Sequence, residues 1–145
     1  MKMRHFALVG IAAILMTTAC SDDDSSGSVE LPDAAAETVE DYYQTVAVEH
    51  DGEGMLTLVT DDFEFISETE SIDKETWASQ INLLYDNFTV DRLEDATVVG
   101  GGGEYLVSQP EHVTASGMDD DAFSVLRVVE VDGTWLIDMH QYIPA

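Results

Sequence analysis

Residues 122–143 read AFSVLRVVEVDGTWLIDMHQYI, and the fold is decided here. Two β-rich segments, Ala122–Val131 and Thr134–Ile143, flank Asp132-Gly133, a pair that forms a two-residue hairpin turn at little steric cost. Phe123, Val125, Val129 and Val131 alternate with Leu126 and Val128, so both faces of the first segment are apolar. In the second, Leu136 and Tyr142 oppose Trp135, Ile137 and Met139. A strand with two apolar faces needs cover on both. One face is expected against helices and the other against a second subunit, a homodimer through the sheet.

The stretches upstream extend this picture. Thr89–Val99 and Glu104–Ser116 are β-rich and separated by Gly100–Gly103, a loose hairpin turn, while Pro110 implies a bulge or an edge position. Before Phe88 the period changes. Trp77, Ile81, Leu84 and Phe88 recur at i, i+4, i+7 and i+11 behind a capping Asp73, which predicts a long amphipathic helix. Phe63 and Phe65 alternate with Glu64 in a brief strand. Ala35, Val39, Tyr42 and Val46, with Tyr43 beside them, mark a first helix from Ala34 under an Asp33 cap. His50-Asp51-Gly52 ends that helix, and Met55, Leu56, Leu58 and Val59 suggest a short second one. Helices first and a meander afterwards define an α+β domain, with helices on one face of an antiparallel sheet.

Three local stretches carry a family likeness. They are Leu58-Val59-Thr60-Asp61-Asp62-Phe63-Glu64-Phe65, Lys74-Glu75-Thr76-Trp77, and Val131-Asp132-Gly133-Thr134-Trp135-Leu136-Ile137 followed by His140. In this order the chain resembles the nuclear transport factor 2-like superfamily, with its SnoaL-type polyketide cyclases and ketosteroid isomerase. The resemblance implies a cystatin-like cone in which a curved antiparallel sheet wraps a long helix around a pocket, often in dimers. The pocket so implied would be apolar and lined by Tyr42, Tyr43, Phe65, Trp77, Ile81 and Leu84.

The N-terminus is a different kind of sequence. Lys2 and Arg4 precede an apolar run from Phe6 to Met16, too short to cross a hydrocarbon core of ~30 Å as a helix. Thr17, Thr18 and Ala19 then lead into Cys20, the single cysteine of the chain. A basic start, a short apolar stretch and small residues before a cut make a secretory signal. The Cys at the cut resembles the lipobox of bacterial lipoproteins, which implies cleavage after residue 19 and lipidation of Cys20. Anchoring in a lipid bilayer at the bacterial cell envelope is the expectation. Ser21 after the Cys implies the outer membrane, by likeness to enterobacterial sorting. Residues 20–32 then read as an acidic, flexible tether, and residues 33–145 as the folded domain.

Composition excludes several classes of function. The chain has 145 residues, 30 of them acidic against 5 basic, for a net charge of −25. Removal of Lys2 and Arg4 with the signal takes the charge to −27. Nucleic acid is not an expected partner, because phosphate binding is driven by Lys and Arg. One Cys excludes an intrachain disulfide, and no close His spacing suggests a metal, so neither metal nor cofactor is expected. Asp138 and His140 are the neighbouring acid–base pair best suited to catalysis. Simple alternation puts both on one face of the last strand, and the larger apolar set of Trp135, Ile137 and Met139 assigns them the outer face. The expected role is therefore a binding or accessory module, taking an apolar small molecule. An isomerase, cyclase or hydrolase using a His/Asp/Tyr group in the cone is the alternative, with Asp138 and His140 as its catalytic pair.

Overall fold

A computed structural model describes residues 28–84 and 87–145. Cys20 and the signal segment lie outside the described residues. The first helix, α1 (Asp33–Tyr43), starts one residue earlier than expected, behind Pro32, with no side chain capping it. Pro32 suits that position because its φ is fixed and it has no N–H to leave unpaired. The helix runs on through a π-helical segment, Gln44–Glu49, and stops at His50, whose backbone is left-handed at φ 53°. Short helix α2 (Gly52–Leu56) follows, with the Asp51 side chain accepting from the Gly54 N–H. A side chain at Gly52 would overlap the Ala78 carbonyl, so glycine is what lets α2 lie against the next helix.

Strands β1 (Val59–Ile66) and β2 (Ser71–Asp73) lead into α3 (Lys74–Ile81), capped by Asp73 through the Thr76 N–H as expected. The helix is short, however. It ends at Ile81 instead of continuing to Phe88, because Asn82 turns its side chain to accept from the Gly52 N–H at 2.7 Å. The long helix of this domain is therefore the first one, including its π-helical extension.

Strands β3 (Thr89–Arg92), β4 (Thr97–Gly101), β5 (Glu104–Ala115), β6 (Met118–Val131) and β7 (Thr134–Pro144) complete a seven-stranded sheet. Its order is β2-β1-β7-β6-β5-β3, with β4 also paired to β5. All pairings are antiparallel except β1 with β7, which is parallel. The segment expected as one strand, Thr89–Val99, is split between β3 and β4 by residues 93–96. Pro110 on β5 lies opposite that break. Its carbonyl accepts from Leu93, so its nitrogen, which has no hydrogen to donate, faces the same interrupted side. The β6–β7 turn is Asp132-Gly133, both at positive φ (52° and 82°), the type I′ geometry that matches strand twist.

The core lies between the helices and the inner face of the sheet. Tyr42, Met55, Phe63, Ile81, Leu126, Val128 and Ile137 are fully buried there. The expected tether does not stay free to residue 32: Val29 donates to the Val98 carbonyl, Val98 donates to Ser28 Oγ, and Leu31 packs on the core.

Candidate functional site

The strongest concentration of chemistry is inside the domain, and a one-residue irregularity in β7 creates it. Val128 pairs with Ile137, yet Arg127 pairs with Met139, so Asp138 is an extra residue bulged out of register. One inserted residue reverses the alternation beyond it. Ile137 and His140 therefore both face inward, whereas Asp138 stays outside. The outer-face placement expected for His140 is corrected accordingly, and so is its pairing with Asp138. Asp138 instead binds Arg127 through Nε and Nη2, at 2.8 and 2.5 Å, and accepts from Thr60 at 2.6 Å.

His140 is 7% exposed and both its ring nitrogens are engaged. Nδ1 is 2.9 Å from the Tyr42 hydroxyl, and Nε2 is 2.9 Å from Ser124 Oγ. The Tyr42 oxygen also accepts from Trp77 Nε1 at 3.1 Å. Ser124 lies 2.5 Å from Glu111 Oε1, and Tyr43 donates to Glu111 Oε2 over 3.4 Å. Phe65 stacks on Trp77 with centroids 3.8 Å apart and meets the His140 ring edge-on. Helix α1 thus supplies Tyr42 and Tyr43, α3 supplies Trp77, and β5, β6 and β7 supply Glu111, Ser124 and His140.

Burial dominates the electrostatics of this group. It pushes His140 down to about 3, so the imidazole is neutral. The hydroxyls of Tyr42 and Tyr43 are driven well above the usual phenol range by the same cause. Glu111 is raised from its ordinary value by burial, against the lowering effect of Ser124, Tyr43 and Arg92. Arg92 sits 4.4 Å above the Tyr43 ring and forks onto Glu40 at the surface. Beside that ion pair is a shallow groove of about 460 Å³, bordered by Leu93, Glu94, Asp95, Ala96 and Gln109.

The six positions expected to line an apolar pocket are placed as follows. Tyr42, Tyr43, Trp77 and Ile81 are buried in the core cluster, and Phe65 packs against it. Leu84 falls in the turn beyond α3 and is half-buried outside that cluster. Sequence reading missed Glu111 and Ser124. Their signal was present in the alternation of β5 and β6, since Val107, Gln109, Glu111 and Val113 share one face of β5, as do Ala122, Ser124, Leu126 and Val128 of β6. A polar residue in the middle of an inward-facing set marks a buried partner.

With this geometry in hand, comparison with solved structures is informative. A nuclear transport factor 2-like (NTF2-like) protein from Cytophaga hutchinsonii aligns over 81% of this chain and 100% of its own, at TM-score 0.67 and 16% identity. A candidate ketosteroid isomerase from Shewanella frigidimarina aligns over 75% and 94%, at TM-score 0.65 and 10% identity. A protein of unknown function with a cystatin-like fold from Nostoc punctiforme aligns over 82% and 95%, at TM-score 0.63 and 16% identity. The fold is NTF2-like. No protein-family model and no curated protein matches the sequence. At such identities the likeness establishes architecture and leaves the chemistry to the residues themselves. In this NTF2-like domain, the interior between helices and sheet holds an interlocked polar chain.

Proposed function

We propose that this chain is a lipid-anchored envelope protein whose NTF2-like domain serves as a binding or accessory module, not a catalyst. The observation that carries the non-catalytic reading is His140. A general base needs a free nitrogen within about 3 Å of the proton it removes, at a pKa near the working pH. Here both nitrogens are committed to Tyr42 and Ser124, and burial keeps the ring neutral far below neutral pH. Tyr42, Trp77 and Ile81 are themselves buried in the core, whereas the outer face of the sheet exposes apolar side chains, which makes it the better-supported binding surface.

Three rows of that face support a second copy as the occupant. Val99–Leu106–Arg127–Met139, Thr97–Ser108–Val125–Gln141 and Pro110–Phe123–Ile143 lie side by side across adjacent strands. Val99, Leu106, Phe123 and Ile143 are exposed there. Within these rows the one charged side chain is Arg127, which the bulged Asp138 neutralises, and Glu64 borders them on β1 beside Met139. On a molecule so acidic, a nearly uncharged apolar face is where another copy can approach without like-charge repulsion. Anchoring rests on the signal architecture ending at Cys20, and the outer membrane on Ser21; stable attachment takes more than one acyl chain.

Two measurements test the reading. Cys20→Ser should release the protein from the membrane fraction and abolish fatty-acid labelling; unchanged association would refute the anchor. Sedimentation should give a dimer at micromolar concentration, with Phe123→Glu shifting it to monomer; a monomeric wild type would refute the face. The alternative, an enzyme of the kind named for the Shewanella frigidimarina protein, is favoured by one observation, the alignment of a Tyr, a His, a Ser and a Glu in contact. Turnover of an apolar ketone or ester that disappears in His140→Gln would establish that alternative.

A further inference from the structure

The buried chain runs in one direction, and the requirements of its two ends agree on it. At one end, the Trp77 indole can only donate, so the Tyr42 oxygen accepts from it. Among the described residues the Tyr42 hydrogen has one acceptor within reach, His140 Nδ1, and that nitrogen must be bare to receive it. A neutral imidazole bare at Nδ1 carries its proton on Nε2, which then donates to Ser124 Oγ. The Ser124 hydrogen is left for Glu111 Oε1. At the other end, an ionised carboxylate can only accept, which gives Ser124 as donor and the same order read backwards. Trp77, Tyr42, His140 and Ser124 each donate their hydrogen once, Glu111 accepts at the end of the chain, and Tyr43 donates to its second oxygen.

We propose that Glu111 is a positioning residue that holds His140 as the Nε2–H tautomer from two hydrogen bonds away, acting through Ser124. This goes beyond the proposed accessory role and does not depend on it. The carboxylate makes Ser124 a donor toward β5, and a Ser124 already donating there can only accept from His140. Without an acceptor at Glu111, Ser124 is free to donate to Nε2 instead. The His140 proton can then reside on Nδ1 at no greater cost, since each tautomer now leaves one buried hydroxyl hydrogen, of Tyr42 or of Ser124, without an acceptor.

The same logic locates the proton when Glu111 titrates. The groups facing Glu111 are Ser124 on β6, Tyr43 on α1 and, by charge, Tyr42 on α1, Arg92 on β3 and Tyr142 on β7. A proton on Oε1 would reverse Ser124 and His140 and leave the buried Tyr42 hydroxyl with no acceptor. A proton on Oε2 reverses only the long Tyr43 contact and leaves the rest intact. Protonation of Glu111 is therefore felt outward, at Tyr43 and Arg92 beside the groove, and not inward at His140.

The experiment is nitrogen-15 spectroscopy of histidine in the full chain, with the His140 signals assigned by their loss in His140→Gln. Wild type should show Nδ1 bare and Nε2 protonated. Glu111→Gln should keep that pattern, because its amide oxygen still accepts from Ser124, whereas Glu111→Leu should lose it, with the Nδ1–H form appearing beside the Nε2–H form. Across the acid titration the Tyr43 ring-carbon shift should move while the His140 pattern stays constant, and Glu111→Gln should remove the movement. An Nδ1–H wild type, an unchanged tautomer in a folded Glu111→Leu, or inversion of His140 on acidification would each overturn the proposal. Should Glu111→Leu fail to fold, the wild-type tautomer and the titration still decide it.

Discussion

Asp138 and His140 stand two residues apart in the sequence and on opposite faces of the sheet. Asp138 neutralises Arg127 on the outer face, and His140 joins helix α1 to β6 inside. The inside position has a measurable consequence. An unfolded histidine takes up a proton near pH 6.5, whereas His140 in the fold resists protonation down to about 3. A depressed histidine contributes stability that is present above the unfolded value and lost as pH falls through that interval, at ~1.4 kcal/mol per unit. Glu111, raised by burial, acts in the other direction: its ionisation costs stability as pH rises through its raised value. Urea unfolding of wild type should therefore show stability falling between pH 6.5 and 4. In His140→Gln that fall should be shallower by roughly 2 kcal/mol or more. Equal slopes in the two proteins would refute a buried neutral His140. None of this was legible from alternation. A period of two places residue 140 correctly only if no residue is inserted, and nothing in Ile137-Asp138-Met139 signals the bulge. The buried histidine became visible only when strand register was known.

Elements declared themselves in the sequence where their signals are local. The Asp132-Gly133 turn, the Asp73 cap and the stop at His50-Asp51-Gly52 rest on residues that act on their immediate neighbours, and each was found where expected. The early end of α3 was hidden because its cause is a contact across the fold, from Asn82 to Gly52. The division of the segment after Phe88 was hidden for the same reason, since Pro110, on another strand, sits opposite the break. One tertiary contact within the sheet is open to test. His112 on β5 has each ring nitrogen 2.7 Å from a carboxylate oxygen, of Asp121 and of Asp119 on β6. Both nitrogens can donate only when the ring is protonated, and those two hydrogen bonds raise its pKa. A raised histidine contributes stability that is fully present below its unfolded pKa and lost as pH rises through the folded one. His112→Gln should therefore lower the melting temperature at pH 6 and change it little at pH 9. A deficit of the same size at both values would show that the clamp acts through packing instead of charge.

At the scale of the whole molecule, charge opposes the architecture. The processed chain would carry −27 on a domain whose described Lys and Arg side chains, Lys74, Arg92 and Arg127, are each already bound to one carboxylate. The remaining acids repel one another across the surface, and compaction brings them closer than in the unfolded chain. A domain of this size has a net stability of roughly 5–15 kcal/mol, so a self-repulsion of even a few kcal/mol is a sizeable fraction of it. Salt acts directly on that repulsion, shortening the screening length from ~10 Å at 0.1 M to ~3 Å at 1 M. It also weakens the three ion pairs, but exposed pairs are worth only ~0–1 kcal/mol each, so the loss is the smaller effect. Two features of the fold remain unaffected by screening: the neutral chain from Trp77 to Ser124 and the apolar face around Phe123 and Ile143. The melting temperature should therefore rise by several degrees between 0.1 M and 1 M KCl, and the dimer proposed through the sheet should tighten over the same range as the two acidic bodies repel each other less. Sedimentation and calorimetry on the same samples separate the two effects, because a rise driven only by association depends on protein concentration and an intrinsic one does not. A melting temperature that stays flat or falls with salt would mean that the acidic surface is already accommodated in the fold, and that self-repulsion is not what limits the stability of this domain.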